Sequence, residues 1–214
     1  MCRVPVFEFF IENLNVEEFK DRSVLEVGSR YVDRSIRPLI ERFLCPREYI
    51  GIDVEPGKYV DIILPAEKLL EYFGANRFDI IISTETLEHI RDWRAAITNM
   101  KAVLKPGGYM YITTVPRGFP YHGYPYDFRR YDAEDMKGIF SDFDIIVLRE
   151  DREILGTFLK ARKPTQYKPK NLNDIALYSI IPDIKDMSMI RKLKFIGGEN
   201  LLKLGRFIIH QMSC

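Results

Sequence analysis

Two acidic residues and a glycine turn carry the first signal of chemistry in this sequence. The short apolar run over residues 23–27 contains Glu26 and ends at Gly28, and an amphipathic pattern over residues 35–44 predicts a helix soon after it. A strand, a glycine turn and a helix bring backbone N–H groups against a bound ligand. Asp53 ends the next predicted strand, where a carboxylate can accept hydrogen bonds from both hydroxyls of a ribose. The combination indicates a cofactor that contains adenosine.

The residues that follow Gly28 narrow the kind of cofactor. A dinucleotide-binding turn reads G-x-G-x-x-G, because its glycines let the backbone approach a pyrophosphate and let the helix pack closely. Here the turn reads Gly28-Ser29-Arg30-Tyr31-Val32, with one glycine and with bulky side chains where a pyrophosphate would approach. A cofactor without phosphates avoids this steric conflict, and S-adenosylmethionine has none. A nicotinamide-dependent oxidoreductase or epimerase is therefore the less favoured alternative.

A second stretch, residues 118–131 (GFPYHGYPYDFRRY), combines aromatic rings with titratable side chains. It follows a predicted strand, and the carboxyl ends of strands carry the ligands in such sheets. Aromatic rings can stack on a sugar or a flat substrate, and arginines suit carboxylate or phosphate groups. The candidate substrate residues are Tyr126, Arg129 and Arg130, and the candidate proton acceptors are His122 and Asp127. The alternative is a structured lid that a buried Asp–Arg pair holds in place.

The elements that must position these residues alternate along the chain. Strands are predicted at residues 23–27, 49–54, 60–64, 78–83, 109–115, 143–148 and 154–161, and helices at 35–44, 93–104 and 132–140. This alternation predicts an α/β fold, with a doubly wound, mostly parallel seven-stranded sheet and helices on both faces. The run over residues 78–83 is apolar on both faces, which is typical of a strand in the middle of a parallel sheet.

Ordered motifs within this pattern resemble those of class I S-adenosylmethionine-dependent methyltransferases, with their Rossmann-like fold. The motifs are Val24-Leu25-Glu26-Val27-Gly28, Asp53, Phe78 to Ser83 running into Leu87-Glu88-His89, and Leu104-Lys105-Pro106-Gly107-Gly108. The resemblance covers about residues 20–163. The L-K-P-G-G turn is its most specific part, because dehydrogenases of similar topology have no reason to carry it. The aromatic stretch is similar to the H-x-x-P-x-D-[FY]-x-R-[FY] loop of type 11-like methyltransferases, which is loosely associated with sugar and glycan metabolism.

The resemblance implies a set of cofactor-binding residues. Glu26 and Gly28 would lie along the methionine part of the cofactor, Asp53 would hold the ribose hydroxyls and Val54 would lie against the adenine. Pro65 replaces the acid that usually meets the adenine amine. We further hypothesise that Arg30 pairs with the cofactor's carboxylate, which suits its guanidinium fork. The full predicted set is Glu26, Gly28, Ser29, Arg30, Asp53, Val54, Ala66, Glu67, Thr84 and Glu85.

The reaction implied is methyl transfer from S-adenosylmethionine, leaving S-adenosylhomocysteine, to an oxygen or nitrogen atom of a small-molecule or glycan-type acceptor. The candidate catalytic residues are His122, Asp127 and His89. For His89 the alternative is a histidine that orients a loop. A further alternative is a methyltransferase-like binding module without catalysis, because two family glycines are replaced by Arg30 and Val32.

Composition and charge set the remaining expectations. The 214 residues are 46% hydrophobic and 29% charged with a formal net charge of +1, which gives no indication of nucleic-acid binding. Three cysteines without C-x-x-C spacing indicate no zinc site and no disulfide framework, and we expect no metal. No run of about twenty apolar residues predicts a transmembrane segment, so we expect a cytoplasmic protein.

Two regions are expected on this basis: a methyltransferase domain over residues 1–164 and a basic, helical extension over residues 165–214. Residues 160–214 carry eleven Lys and Arg against four Asp and Glu. Helices are predicted around 174–181 and 199–212, and the extension is a candidate for homodimer contacts.

Overall fold

The computed structural model describes residues 3–123 and 126–180. The helices in this range are α1 (Val4–Asn13), α2 (Val16–Phe19), α3 (Arg37–Leu44), α4 (Leu69–Phe73), α5 (Trp93–Val103) and α6 (Ala133–Ile139), with 3-10 turns at Ala66–Lys68 and Leu87–His89. The strands are β1 (Ser23–Val27), β2 (Glu48–Asp53), β3 (Ile62–Ile63), β4 (Phe78–Thr84), β5 (Leu104–Thr114), β6 (Arg129–Arg130), β7 (Asp144–Asp151), β8 (Gly156–Arg162) and β9 (Tyr178–Ser179). None of these helices is long and apolar enough to cross a membrane.

Seven strands form the main sheet in the order β3-β2-β1-β4-β5-β8-β7. The first five of this order are parallel to their neighbours, and β8 runs antiparallel to both β5 and β7. This confirms the predicted doubly wound, mostly parallel sheet. The strand order reverses between β1 and β4, and sheets of this kind bind ligands in a crevice at the carboxyl edge beside this switch point.

Apolar side chains cover both faces of the sheet, which is why its central strands read as continuous apolar runs. One face packs on α5 and α6, and the other packs on α1 and α3. The first face includes Leu25, Ile81, Met110, Ile97 and Met136. The second includes Val24, Ile80, Ile82, Phe10 and Ile40. The sheet is therefore a rigid support for the loops at its edge.

Several predicted boundaries shift for local reasons. Strand β5 begins at Leu104 rather than 109, because Leu104 already pairs with Phe78. The register then shifts, so that Ile80 pairs with Tyr109 and the residues between Leu104 and Tyr109 form an irregular part of the strand. Gly107 takes a φ of +79° in this stretch. Helix α3 begins at Arg37 rather than 35, with a proline in its first turn. Strand β3 has two residues, and the closing strands are Asp144–Asp151 and Gly156–Arg162.

The first part of the extension corrects one prediction. The helix predicted around 174–181 is wrong over its described part, because Tyr178–Ser179 instead pairs antiparallel with Arg129–Arg130 in a second small sheet. Backbone pairing across this ladder satisfies the same N–H and C=O groups that a helix would use. Leu172 is buried in the main core, and the Arg94 guanidinium donates to its carbonyl at 3.0 Å. The helix predicted at 199–212 lies outside the described residues.

Candidate active site

The turn after β1 closes against the loop after β4. Gly28 has a φ of +80°, and a Cβ at this position would lie 2.1 Å from Oγ1 of Thr86. Only glycine therefore allows the two loops to meet here. The backbone N–H groups of Gly28 and Ser29 both donate to the Ile52 carbonyl, at 2.9 and 3.0 Å. Because these amides are already engaged, the turn does not present them to a pyrophosphate, which fits a cofactor without phosphates.

Asp53 lies beside this turn with capacity for further hydrogen bonds. One carboxylate oxygen accepts from the Arg30 backbone N–H at 3.2 Å, and the other accepts from the Glu55 N–H at 3.1 Å. A carboxylate oxygen can accept a second hydrogen bond, so each retains a lone pair for a ribose hydroxyl. The Arg30 guanidinium pairs with the Glu55 carboxylate. Its predicted role toward the cofactor's carboxylate would require it to exchange this partner.

The predicted adenine-binding residues follow β2 and β3. Val54 is 65% exposed, so its side chain is accessible to a ligand. The Leu64 N–H donates to the Asp53 carbonyl at 2.9 Å and holds the next segment alongside β2. Ala66 is buried and Glu67 is half-buried, both on the 3-10 turn that follows. The Leu64–Asp53 hydrogen bond therefore holds the segment with Ala66 and Glu67 alongside the end of β2, next to Val54.

Glu26 is buried under the turn, on the face of the sheet that packs on α3. Its Oε2 accepts a hydrogen bond of 2.9 Å from the Tyr49 hydroxyl. Burial raises the pKa of the Glu26 carboxyl to about 7, although the Tyr49 hydrogen bond and the nearby Arg37 favour the ionised form. Glu26 thus changes charge close to neutral pH.

Glu85 occupies the switch point directly after β4. It is nearly buried with a φ of +47°, a conformation in which residues other than glycine are strained, and Thr84 before it is also buried. Burial raises the pKa of Glu85, and Arg3 opposes this shift. The Arg3 guanidinium lies 2.5 Å from Oε1 of Glu85 and donates to the carbonyls of Ile154 and Leu155, at 2.6 and 3.1 Å. Arg3 therefore links the switch point to the β7–β8 turn.

A buried clamp organises the aromatic loop. Asp127 accepts hydrogen bonds from the His122 backbone N–H at 2.7 Å and from the Arg130 guanidinium at 2.5 and 3.0 Å. Burial alone would raise the Asp127 pKa, but the hydrogen bonds from His122 and Arg130 outweigh burial and lower it to about 2. Arg130 is fully buried and also donates to the Phe119 and Pro120 carbonyls, at 3.2 and 2.9 Å. Arg130 therefore fits the alternative in which a buried Asp–Arg pair holds a structured lid, because none of its side chain is exposed to solvent.

The other two candidate substrate residues differ from Arg130. Arg129 is half-buried and its guanidinium contacts the Ser179 hydroxyl and the Phe128 carbonyl. Tyr126 is 54% exposed, and its backbone carbonyl contacts Nδ1 of His89. Tyr126 therefore presents an accessible aromatic face at the edge of the loop.

Glu88, His89 and His122 meet below this loop. Glu88 is fully buried, its Oε2 accepts a hydrogen bond of 2.9 Å from the Thr114 hydroxyl, and its Oε1 lies 3.9 Å from Nε2 of His122. The two imidazole rings are 4.8 Å apart, edge to face. The Nδ1 atom of His122 lies 3.1 Å from Oδ2 of Asp127. The structure thus brings all three candidate catalytic residues into one cluster with Glu88.

Sequence reasoning missed Glu88, Thr114 and Arg3 as site residues. For Glu88 a signal existed, since it stands inside the L-E-H motif next to His89. For Arg3 none existed, because it lies 82 positions before its partner Glu85.

Comparison with known proteins shows the family to which this chain belongs. The family model described as a methyltransferase domain matches residues 6–150. A ubiquinone biosynthesis O-methyltransferase of Coxiella burnetii (strain Dugway 5J108-111) is 47% identical over 45 residues, which are 21% of this chain and 19% of that protein. The matched segment therefore spans about a fifth of that relative.

Solved structures share the fold at low sequence identity. A 1,6-didemethyltoxoflavin-N1-methyltransferase of Burkholderia thailandensis, solved with bound 1,6-didemethyltoxoflavin and S-adenosylhomocysteine, superposes with a TM-score of 0.55 at 16% identity, over 68% of this chain and 72% of that one. A methyltransferase of Methanosarcina mazei superposes with a TM-score of 0.56 at 16% identity, over 78% of this chain and 100% of that one. Because the family model covers more than half of the sequence, this chain belongs to the methyltransferase domain family, and its fold is that of class I S-adenosylmethionine-dependent methyltransferases.

Proposed function

We propose that this enzyme methylates a hydroxyl group of a small-molecule or glycan-type acceptor. The observation that carries the proposal is the row of Glu88, His122 and Asp127 beside the switch point, where the Asp127 carboxylate lies 3.1 Å from the His122 ring. A hydroxyl is a weak nucleophile that needs a proton acceptor, and a carboxylate-supported imidazole supplies one. The relative from Coxiella burnetii is named as an O-methyltransferase, which is consistent with an oxygen acceptor.

The residues around the crevice suit S-adenosylmethionine. Asp53 would accept hydrogen bonds from the ribose hydroxyls with its remaining lone pairs, and Val54 would cover one face of the adenine. Ala66 and Glu67 would border the adenine edge. Glu85, after β4, would face the reacting end of the crevice.

When bound, S-adenosylmethionine supplies a methyl group activated on a sulfonium. The protein's contribution is alignment and proton transfer. His122 would take the acceptor's proton on its Nε2 atom, and Asp127 would stabilise the imidazolium that results. Arg130 holds Asp127 ionised in a buried position, since its guanidinium makes two of the carboxylate's hydrogen bonds. Proton transfer of this kind contributes roughly 10²- to 10⁴-fold to rate.

The aromatic loop would bind the acceptor. Tyr126 offers an exposed ring, and Arg129 borders the same loop with a guanidinium that suits an anionic group on the acceptor. A flat aromatic or sugar ring stacked on Tyr126 would bring a hydroxyl toward the Glu88–His122 row.

A thermal-shift comparison tests the cofactor part of the proposal. S-adenosylmethionine and S-adenosylhomocysteine should each raise the melting temperature, and NAD should not. Stabilisation by NAD alone would instead support the oxidoreductase alternative and refute the proposal.

Transfer of a labelled methyl group to a panel of phenols, catechols and sugars tests the activity. His122→Gln should lower kcat by roughly 10²-fold or more with little change in affinity for S-adenosylhomocysteine. Lys137→Ala, an exposed residue on α6, is the matched control and should keep full activity. Cofactor binding with equal turnover in His122→Gln and the control would show that His122 takes no proton.

A further inference from the structure

Three side chains with metal-binding atoms converge beside the proposed acceptor site. One ligand atom from each of Glu88, His89 and His122 lies within 4.8 Å of the other two. Glu88 and His89 come from the turn after β4, and His122 comes from the aromatic loop. The Phe128 N–H donates to the Glu88 carbonyl at 2.8 Å, which joins these two segments of the chain.

The buried carboxylate of Glu88 is only half satisfied. Its Oε2 accepts from the Thr114 hydroxyl, whereas its Oε1 has no hydrogen-bond partner among the described residues and faces Nε2 of His122 at 3.9 Å. A fully buried, unpaired carboxylate oxygen is costly unless something compensates it. A cation between Glu88 and His122 would remove this cost.

Both histidines have the second interaction that is typical of metal ligands. A metal-bound imidazole almost always directs its other ring nitrogen to a carboxylate or a backbone carbonyl. The Nδ1 atom of His122 lies 3.1 Å from Asp127, at an angle short of a full hydrogen bond, and Nδ1 of His89 contacts the Tyr126 carbonyl. In each ring Nε2 is then the nitrogen left to bind an ion.

We propose that Glu88, His89 and His122 bind a divalent transition-metal ion such as Zn²⁺, with a fourth position open to the acceptor oxygen. One carboxylate and two imidazoles with an open position are a recurrent catalytic zinc set. Tetrahedral ligand atoms stand about 3.4 Å apart, so atoms now up to 4.8 Å apart must move inward by about 1 Å. Gly123 packs directly on the His89 ring, where a Cβ would lie 2.7 Å from Cε1, so glycine at this position lets the aromatic loop approach His89.

This inference rests on the proposed function and changes one role within it. With the ion bound, His122 would be a ligand rather than the proton acceptor. The acceptor hydroxyl would bind the ion, which lowers its pKa, and would release its proton to solvent. The sequence predicted no metal, because the ligands come from segments more than thirty positions apart and form no short spacing motif.

Direct metal binding by the full chain provides the test. After treatment with EDTA, the chain is titrated with Zn²⁺ by calorimetry, and with Co²⁺ while its visible absorption is followed. The wild type should bind one ion tightly. Glu88→Gln and His122→Gln should each weaken binding at least tenfold, whereas Glu134→Gln, an exposed glutamate on α6, should bind as the wild type does. Equal binding in all four proteins, or none in the wild type, overturns the proposal.

Two further measurements keep the result unambiguous. If a ligand variant fails to fold, ¹⁵N shifts of the imidazole nitrogens in the wild type report the same event, and Zn²⁺ should move Nε2 of His89 and His122. S-adenosylhomocysteine binding is measured on the same metal-free sample. Cofactor binding without metal binding refutes the metal site alone, and metal binding without cofactor binding refutes the proposed function alone.

Discussion

Replacing Glu26 by glutamine should make the protein more stable at alkaline pH and leave it unchanged at acid pH. Glu26 is 2% exposed and accepts a hydrogen bond from Tyr49. Burial holds its pKa at about 7, against an ordinary value of 4.5. Glutamine has the shape of the protonated acid and cannot ionise, so it keeps the Tyr49 hydrogen bond without the buried charge.

The sign and size follow from proton linkage. Between about pH 4.5 and 7 the folded state holds a proton on Glu26 that the unfolded state has lost, so stability falls as pH rises through this window. Below this pH window the protonated Glu26 contributes its full stabilisation of the fold, and above the window that stabilisation is lost completely. A shift of about 2.5 pKa units corresponds to roughly 3 kcal/mol. The variant should therefore gain up to about 3 kcal/mol over the wild type at pH 8 and nothing at pH 4.5.

Urea unfolding of both proteins at intervals between pH 4.5 and 8.5 measures this difference. The exposed control Glu134→Gln should change stability by less than about 0.5 kcal/mol at every pH. A difference between Glu26→Gln and the wild type that stays constant across the range would refute the argument that burial holds Glu26 protonated.

Three other substitutions probe the turn, the exposed arginine and the core. Gly28→Ala should destabilise the fold by more than about 1 kcal/mol and abolish cofactor binding, because its Cβ would overlap the Thr86 side chain; unfolding and calorimetry measure these effects. Arg30→Ala should weaken S-adenosylhomocysteine binding about tenfold by calorimetry if its guanidinium binds the cofactor's carboxylate. Lys101→Met should lose roughly 3 to 5 kcal/mol in urea unfolding, since it leaves Asp142 buried without its ion pair.

Each of these expectations has a result that contradicts it. Normal stability and affinity in Gly28→Ala would mean that the loops after β1 and β4 can separate freely. Unchanged affinity in Arg30→Ala would leave Arg30 as an exposed partner of Glu55. If the Lys101→Met variant were as stable in urea as the double variant Lys101→Met/Asp142→Leu, burying Asp142 without its ion pair would carry no desolvation penalty.

The doubly wound, mostly parallel sheet could be predicted from sequence because each strand carries its own signal. Continuous apolar runs such as residues 78–83, separated by glycine turns and amphipathic helices, leave few alternatives to a doubly wound sheet. Asp53 and Gly28 could likewise be placed at the carboxyl edge, because their positions at strand ends are local facts. The short strand Tyr178–Ser179 could not be predicted, since its pairing with Arg129–Arg130 depends on a contact about fifty positions away.

The sequence by itself determined the fold class and the family, because strand ends and turns are encoded in short stretches of chain. Tertiary structure alone decided which side chains meet around the switch point and the aromatic loop. It buried Arg130 against Asp127, joined Arg3 to Glu85 and brought Glu88 to the two histidines. These contacts join residues distant along the chain, and no local pattern encodes which side chains packing will bring together.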